Sequence, residues 1–194
     1  MHQLTEFLQE ATKRVPHEYF RVRLDGGDPI YRERVYCYEL YHRLRCLWPA
    51  DTPFSLSGEL DKAAHPILRE LGADYAKPDL LIHQPGDMAG NDTIIEVKSS
   101  NVQRAGIRKD LKTLALFRTK VNYRRAIYLL FGDKALDAVK RVRRVWGEIG
   151  EPPSIESWAE SLNTEGELGE PPSIELWVHT KPGVPAREVA CRLR

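Results

Sequence analysis

The chain has 194 residues, 42% of them hydrophobic and 29% charged, which suffices for one sizeable core and places it among ordinary globular proteins. Its longest apolar run, Ala126 to Phe131, is far short of the roughly 18 residues of a membrane span, and the N-terminus lacks a signal-like apolar stretch, so membrane and secreted classes are set aside. The net charge of +1 conceals two opposed segments: residues 101–147 carry thirteen Lys and Arg against three Asp, and residues 148–175 carry eight Glu with no Lys or Arg.

In chain order, Leu4, Phe7, Leu8 and Ala11 recur at helical spacing and predict an amphipathic helix over residues 3–14, with Thr5 or an upstream residue as its cap. Asp25-Gly26-Gly27-Asp28-Pro29 is turn chemistry. A second helix is predicted over 31–47, where Cys37, Leu40, Tyr41, Leu44 and Trp48 form one apolar stripe with the arginines largely off it, and Pro49 ends it. Residues 54–60 alternate like a strand, and 63–71 read as a brief helical connection. Residues 79–83 and 93–98 are apolar strands joined by QPGDMAGND, a Pro, Gly, Asn and Asp-rich loop, so the pair reads as an antiparallel hairpin.

Helical spacing returns over 104–116, a β-rich run covers 125–131, and Leu136, Val139, Val142 and Val145 predict a helix over 133–146. The alternation is that of an α/β protein. Beyond it GEPPSIE occurs at 150–156 and again at 169–175, the second copy running into the strand-like Ile174 to Val178. Two copies are too few for a solenoid. The reading is therefore one domain over 1–147 and an acidic, Pro-rich extension over 148–194 whose terminal strand packs on the same domain. Cys37, Cys46 and Cys191 form no C-x-x-C pair, which argues against a disulfide framework or structural zinc and suits a reducing, cytoplasmic setting.

The chemistry concentrates in KPDLLIH and IIEVKSS. Strand side chains alternate, so Glu96 and Lys98 share a face while Ile95 and Val97 point to the other. Burying a carboxylate and an amine on an apolar strand is costly unless something compensates them. Asp79 and Glu96 together offer hard oxygen ligands suited to Mg²⁺ or Mn²⁺, with Lys98 beside them to orient a water or stabilise charge developing on phosphorus. The plain alternative is an Asp at a strand end and a Glu and Lys on a solvent-facing strand. Convergence also depends on register. If paired residue numbers sum to 176, Asp79 lies opposite Val97 and faces away; sums of 175 or 177, or a bulge, put it with Glu96 and Lys98.

Pro78-Asp79 followed by Glu96-Val97-Lys98 resembles the signature of the PD-(D/E)XK nuclease superfamily, and the element order from Tyr31 to Phe131 is similar to its core. The resemblance implies a restriction-endonuclease-like fold of helix, three-stranded meander, helix and strand. It also implies a metal-dependent endonuclease, with Mg²⁺ or Mn²⁺ held by Asp79, Glu96 and the Val97 carbonyl. Lys98 would assist the water, and a first-helix glutamate, carried over to Glu39, would complete the site. Glu39 has an alternative in an i, i+4 ion pair with Arg43, and Glu59 competes for the same role. His83 and Gln103 are further candidates near the site, although a lone histidine is more often structural. Arg104, Arg108, Lys109 and Lys112 follow the Lys98 strand and are candidates for phosphate contacts; Ser100 or Asn101 would cap their helix. DNA is the favoured partner, with a homodimer or larger complex as candidate assemblies, and a noncatalytic nucleic-acid- or protein-binding subunit as the alternative function.

Overall fold

The structure, a computed structural model, describes residues 3–59, 77–149, 173–190 and 192–193. The expected connection over 63–71 and the first GEPPSIE copy lie outside these residues. Helix α1 (Leu4–Lys13) buries Leu4, Leu8 and Ala11, and its N-cap is Gln3, which makes no side-chain cap bond, so Thr5 does not cap it. A one-turn helix α2 (His17–Phe20) and a hairpin of β1 (Val22–Leu24) and β2 (Gly27–Ile30) follow. Only the turn of this hairpin was readable, through Gly26 at φ +67°, because its arms are too short to show periodicity. Pro29 is tolerated there because the ribbon has two strands and β2 needs few ladder donors.

Helix α3 (Glu33–Leu47) starts two residues later than the spacing suggests, since Arg32 is extended. Strands β3 (Ser55–Gly58), β4 (Leu80–His83) and β5 (Asn91–Ser99), helix α4 (Arg104–Thr119), strand β6 (Arg125–Phe131), helix α5 (Ala135–Ile149), and strands β7 (Ile174–His179) and β8 (Arg187–Glu188) complete the order. The chain is a mixed α/β protein with a six-stranded sheet ordered β3-β4-β5-β6-β7-β8. The β3–β4, β4–β5 and β7–β8 pairs are antiparallel, whereas β5–β6 and β6–β7 are parallel. The strand that closes the second GEPPSIE copy thus sits beside β6 in the same sheet, and α5 continues two residues past the composition break at 147.

Alternation along the inner strands divides the core into two layers. Ile94, Tyr128, Leu130, Leu176 and Val178 face α4 and α5, meeting Leu111, Leu114, Phe117, Val139 and Val142. Ile95, Val97, Ile127, Leu129, Phe131 and Trp177 face α1 and α3, meeting Leu8, Tyr36, Leu40 and Leu44. Strands covered on both faces read as continuous apolar runs, which is why 125–131 has no polar alternation. Glu175 is the exception in β7, and its buried carboxylate is satisfied by Arg125 through two bonds of 2.9 and 2.8 Å and by the Trp177 indole at 3.1 Å. Glu96 and Lys98 lie on the α4 face of β5, where this central strand carries charge into the layered core. Among the described residues no helix is long and apolar enough to cross a membrane.

Candidate active site

The β4–β5 register decides whether the charged residues meet. Leu80 pairs with Ile95, Leu81 with Ile94 and Ile82 with Thr93, all summing to 175, and the register shifts only beyond Ile82, where His83 pairs with Asn91. Continued one step, this register sets Asp79 level with Glu96, on the face that Glu96 shares with Lys98. The Asp79 carboxylate is fixed there because its Oδ2 accepts a 2.7 Å bond from the Val97 amide. The backbone of the E-x-K strand thereby orients the aspartate that precedes the neighbouring strand.

The Lys98 ammonium sits at the centre of four carboxylates. Its Nζ lies 3.7 Å from Asp79 Oδ2, 3.8 Å from Glu96 Oε2, 3.7 Å from Glu33 Oε2 and 3.8 Å from Asp110 Oδ2. Glu33, in the first turn of α3, is anchored over the end of β5 by 3.2 Å bonds from the Ser99 amide and hydroxyl to its Oε1. Asp110 projects from the middle of α4 and accepts a 3.3 Å bond from the Tyr128 hydroxyl. Neither acid was singled out from sequence. The signal for Asp110 was present, since it is the only acidic residue among the sixteen of α4. Glu33 had no such mark, because a glutamate in the first turn of a helix already has a sufficient cause in the helix dipole.

The electrostatics follow from burial. Desolvation raises the Glu96 carboxyl well above the usual range, the charges of Asp79 and Asp110 raise it further, and a hydrogen bond with the Asp79 side chain adds to this; Lys98 acts against them. Asp110 is raised to about 6, chiefly by burial, with Lys98 again opposing. Burial works to lower the Lys98 ammonium, but the fields of Asp79, Asp110, Glu96 and Glu33 overcome it and hold the amine protonated above its ordinary range. Desolvation likewise raises the Tyr128 hydroxyl, which stays a donor. The site thus has more carboxylates than its single ammonium can balance, which favours the protonated form of the buried Glu96 carboxyl.

Such an excess of hard oxygen donors fits a divalent cation. Asp79 and Glu96 are the residues that would hold it, with the carbonyl of Val97, next after Glu96, as a third oxygen. Among the described residues no cluster of three or more His, Cys, Asp or Glu closes on a metal position by itself. The carboxylates ring the Lys98 ammonium instead of facing one another around an open centre.

The other candidates fall elsewhere. Glu39 is buried on α3 and takes a 2.6 Å ion pair from Arg43, so the i, i+4 alternative is the observed one, and the α3 carboxylate beside Lys98 is Glu33. Glu59 follows β3 at φ +41°, a sterically costly value for a non-glycine residue. Its amide donates to the Asp79 carbonyl at 3.0 Å and its carboxylate meets Arg34 at 3.4 Å. Together with Asp79 it lines a cleft beside the cluster. His83 lies at the far end of β4 from Asp79, with its Nε2 3.3 Å from Ser57 Oγ. Gln103 is the N-cap position of α4 but makes no cap bond, its amide donating to the Asn101 carbonyl at 3.3 Å; the expected cap at Ser100 or Asn101 is absent.

The basic segment is only partly available to a polyanion. Arg104 and Arg108 are both drawn to Glu148 at the end of α5. Arg118 bonds the Tyr123 carbonyl, Arg125 pairs with Glu175, and Arg141 bonds the Ser100 carbonyl. Lys109 and Lys112 remain exposed on α4, the helix whose inner side delivers Asp110 to the cluster. Cys37 is buried and Cys46 exposed, both as free thiols. No family model matches the chain, and comparison with curated proteins and with solved structures gives no match.

Proposed function

We propose that the protein is a metal-dependent phosphodiesterase of the PD-(D/E)XK type with a restriction-endonuclease-like core, acting on nucleic acid and by preference on DNA. One observation carries the reading: the 175 register sets Asp79 beside Glu96, with the Lys98 ammonium 3.7 and 3.8 Å from their carboxylates. Two carboxylates and an ammonium on adjacent strands form the ligand and charge set that phosphodiester hydrolysis needs. Mg²⁺ or Mn²⁺ bound here supplies Lewis-acid polarisation of the phosphoryl oxygens and a more acidic water.

Each residue then has its own part. Asp79 is held by the Val97 amide through one oxygen, which fixes its carboxylate beside Glu96 as a metal ligand. Glu96, whose carboxyl burial and the neighbouring charges raise, would give up its proton when a cation binds. Lys98 stays protonated, so it serves as a donor that orients the attacking water and stabilises negative charge on the phosphate, not as a base. Glu33 and Asp110 keep the ammonium aimed into the site and are positioning residues. Lys109 and Lys112 on the outer side of α4 give exposed charge for the flanking phosphates.

A second reading has its own support. The carboxylates close around Lys98 instead of around a vacant centre, an arrangement that also suits a noncatalytic binding subunit built on the same fold. Incubating the protein with plasmid, linear duplex, single-stranded DNA and RNA, with Mg²⁺, Mn²⁺ or a chelator, separates the two. The nuclease reading predicts metal-dependent cleavage of at least one substrate that the chelator stops. Undiminished affinity in chelator with no cleavage under any condition rejects it in favour of the binding subunit.

A further inference from the structure

A cleft of about 340 Å³ opens beside Asp79, between α3 and the β3–β4 pair, lined by Tyr38, Tyr41, Gly58, Glu59, Asp79 and Leu80. A volume of that size is at the lower end of what small-ligand sites offer. Tyr38 is 57% exposed at its mouth, and Tyr41, one turn on, forms part of its wall. A second cleft of about 350 Å³ lies farther along the same helix, lined by Arg45, Trp48, Pro49, Thr52, Phe54 and Ser55. Spacings of three and four place Tyr38, Tyr41 and Arg45 on one stripe of α3, and Trp48 at its C-cap continues the line. From Tyr38 to Trp48 the stripe spans about 15 Å at 1.5 Å per residue.

This stripe begins at the cleft that Asp79 also lines and leads away from it. Its far end is firm, because the Trp48 indole donates to the Phe54 carbonyl at 2.8 Å and packs on Phe7 with ring centroids 6.3 Å apart. Aromatic rings alternating with an exposed arginine are what an unpaired strand requires, since each base offers a face to stack and each phosphate a charge. A base inside a duplex is stacked on both sides and cannot enter a cleft beside the cleavage site without leaving the helix. Exposed rings occur singly on many surfaces. Here two line one cleft and continue into a second cleft carrying Arg45 and Trp48.

We infer that the α3 stripe is a track for single-stranded nucleic acid, which lays an unstacked base against Tyr38 and Tyr41 and passes its neighbours over Arg45 and Trp48, with the phosphate at Asp79, Glu96 and Lys98. The inference rests on the phosphodiesterase reading for its direction, and it names an unpaired strand as the substrate class of that site.

The test is fluorescence anisotropy with a labelled oligothymidylate and a labelled duplex of the same length, both in chelator, so that no cleavage enters. Tyr38→Ala weakens single-strand binding by about 5- to 150-fold, the equivalent of losing one stacked base, and leaves duplex binding as it was. Tyr38→Phe keeps the ring and binds like the wild type, and Arg45→Ala lowers the salt dependence by about one phosphate contact. The track is overturned if the wild type binds no single strand, or if Tyr38→Ala binds it as tightly as the wild type. Metal-dependent cleavage that persists alongside either result would remove the track and leave the phosphodiesterase reading standing. Stacking that depends on Tyr38 in a protein that never cleaves would do the reverse.

Discussion

Replacing Lys98 by Met keeps the length of the side chain and removes the charge from the centre of four carboxylates. Two of these can turn to water, because the Glu33 and Asp79 side chains are 39% and 22% exposed. Glu96 and Asp110 cannot, with side chains only 6% and 7% exposed. Removing one partner of a buried ion pair costs about 3–5 kcal/mol, because the remaining charge is left uncompensated. For a chain of this size each kcal/mol moves the melting temperature by about 2–4 °C, so the variant melts about 6–20 °C below the wild type at pH 7.5. The loss also has a sign in pH. Both carboxyls are already raised, Asp110 to about 6, and Lys98 is the group that works to lower them. Without it they protonate at still higher pH, and at pH 5 the neutral acids no longer need the cation, so the gap between variant and wild type closes. Calorimetric melts at the two pH values in chelator give the answer. Equal melting at pH 7.5, or a deficit of the same size at both, would show that Lys98 contributes packing and not charge, and would refute the four-carboxylate account.

Asp79→Asn retains an oxygen to accept the Val97 amide, so it folds and melts within about 3 °C of the wild type, while metal-dependent cleavage of labelled DNA is abolished. Glu33→Gln lowers the cleavage rate, whereas Glu39→Gln, which loses only its pairing with Arg43, cleaves at the wild-type rate; the same labelled-DNA assay ranks the two. Asp110 is an acid whose folded pKa is raised, so the folded state holds its proton more tightly and stability falls as pH rises from about 4 through about 6. Asp110→Asn flattens that part of the stability profile in urea titrations run across the window. His179, buried and lowered to about 4 chiefly by desolvation, acts in the opposite sense. Its contribution is lost as pH falls from about 6.5 towards 4, and proton-detected titration of its ring measures this directly.

Much of the scaffold could be read because period and burial agree. The apolar stripes of α1, α3 and α5 and the continuous run of β6 each have one arrangement that buries them. Alternation also put Glu96 and Lys98 on one face. The pairing that brings Asp79 to them was not readable, since the long β4–β5 loop allows several registers. The structure fixes it through a shift confined to the Ile82–His83 end of the pair. Glu33 and Asp110 stayed hidden for a different reason. Each belongs to a helix whose rotation against the sheet is set by its apolar side, Tyr36 and Leu40 in one case, Leu111 and Leu114 in the other. Which polar residue such packing turns inward depends on where the helix axis lies. The opposite error attaches to Glu39, whose place on the first helix suggested a metal role but whose carboxylate is taken by Arg43 one turn away. Tyr41 was read with the apolar stripe of α3 and Tyr38 was assigned no part, and both became visible as cleft walls only once β3 and Asp79 were placed beside them.

At the centre of the account, the Glu96 carboxyl, raised by burial and by its acidic neighbours, would exchange its proton for a divalent ion held together with Asp79. Calorimetric titration of the protein with Mn²⁺ in two buffers of different ionisation enthalpy measures both halves of that exchange. The account predicts saturable binding with net proton release, both lost in Asp79→Asn. Absence of saturable binding, or binding that the substitution leaves unchanged, would contradict it.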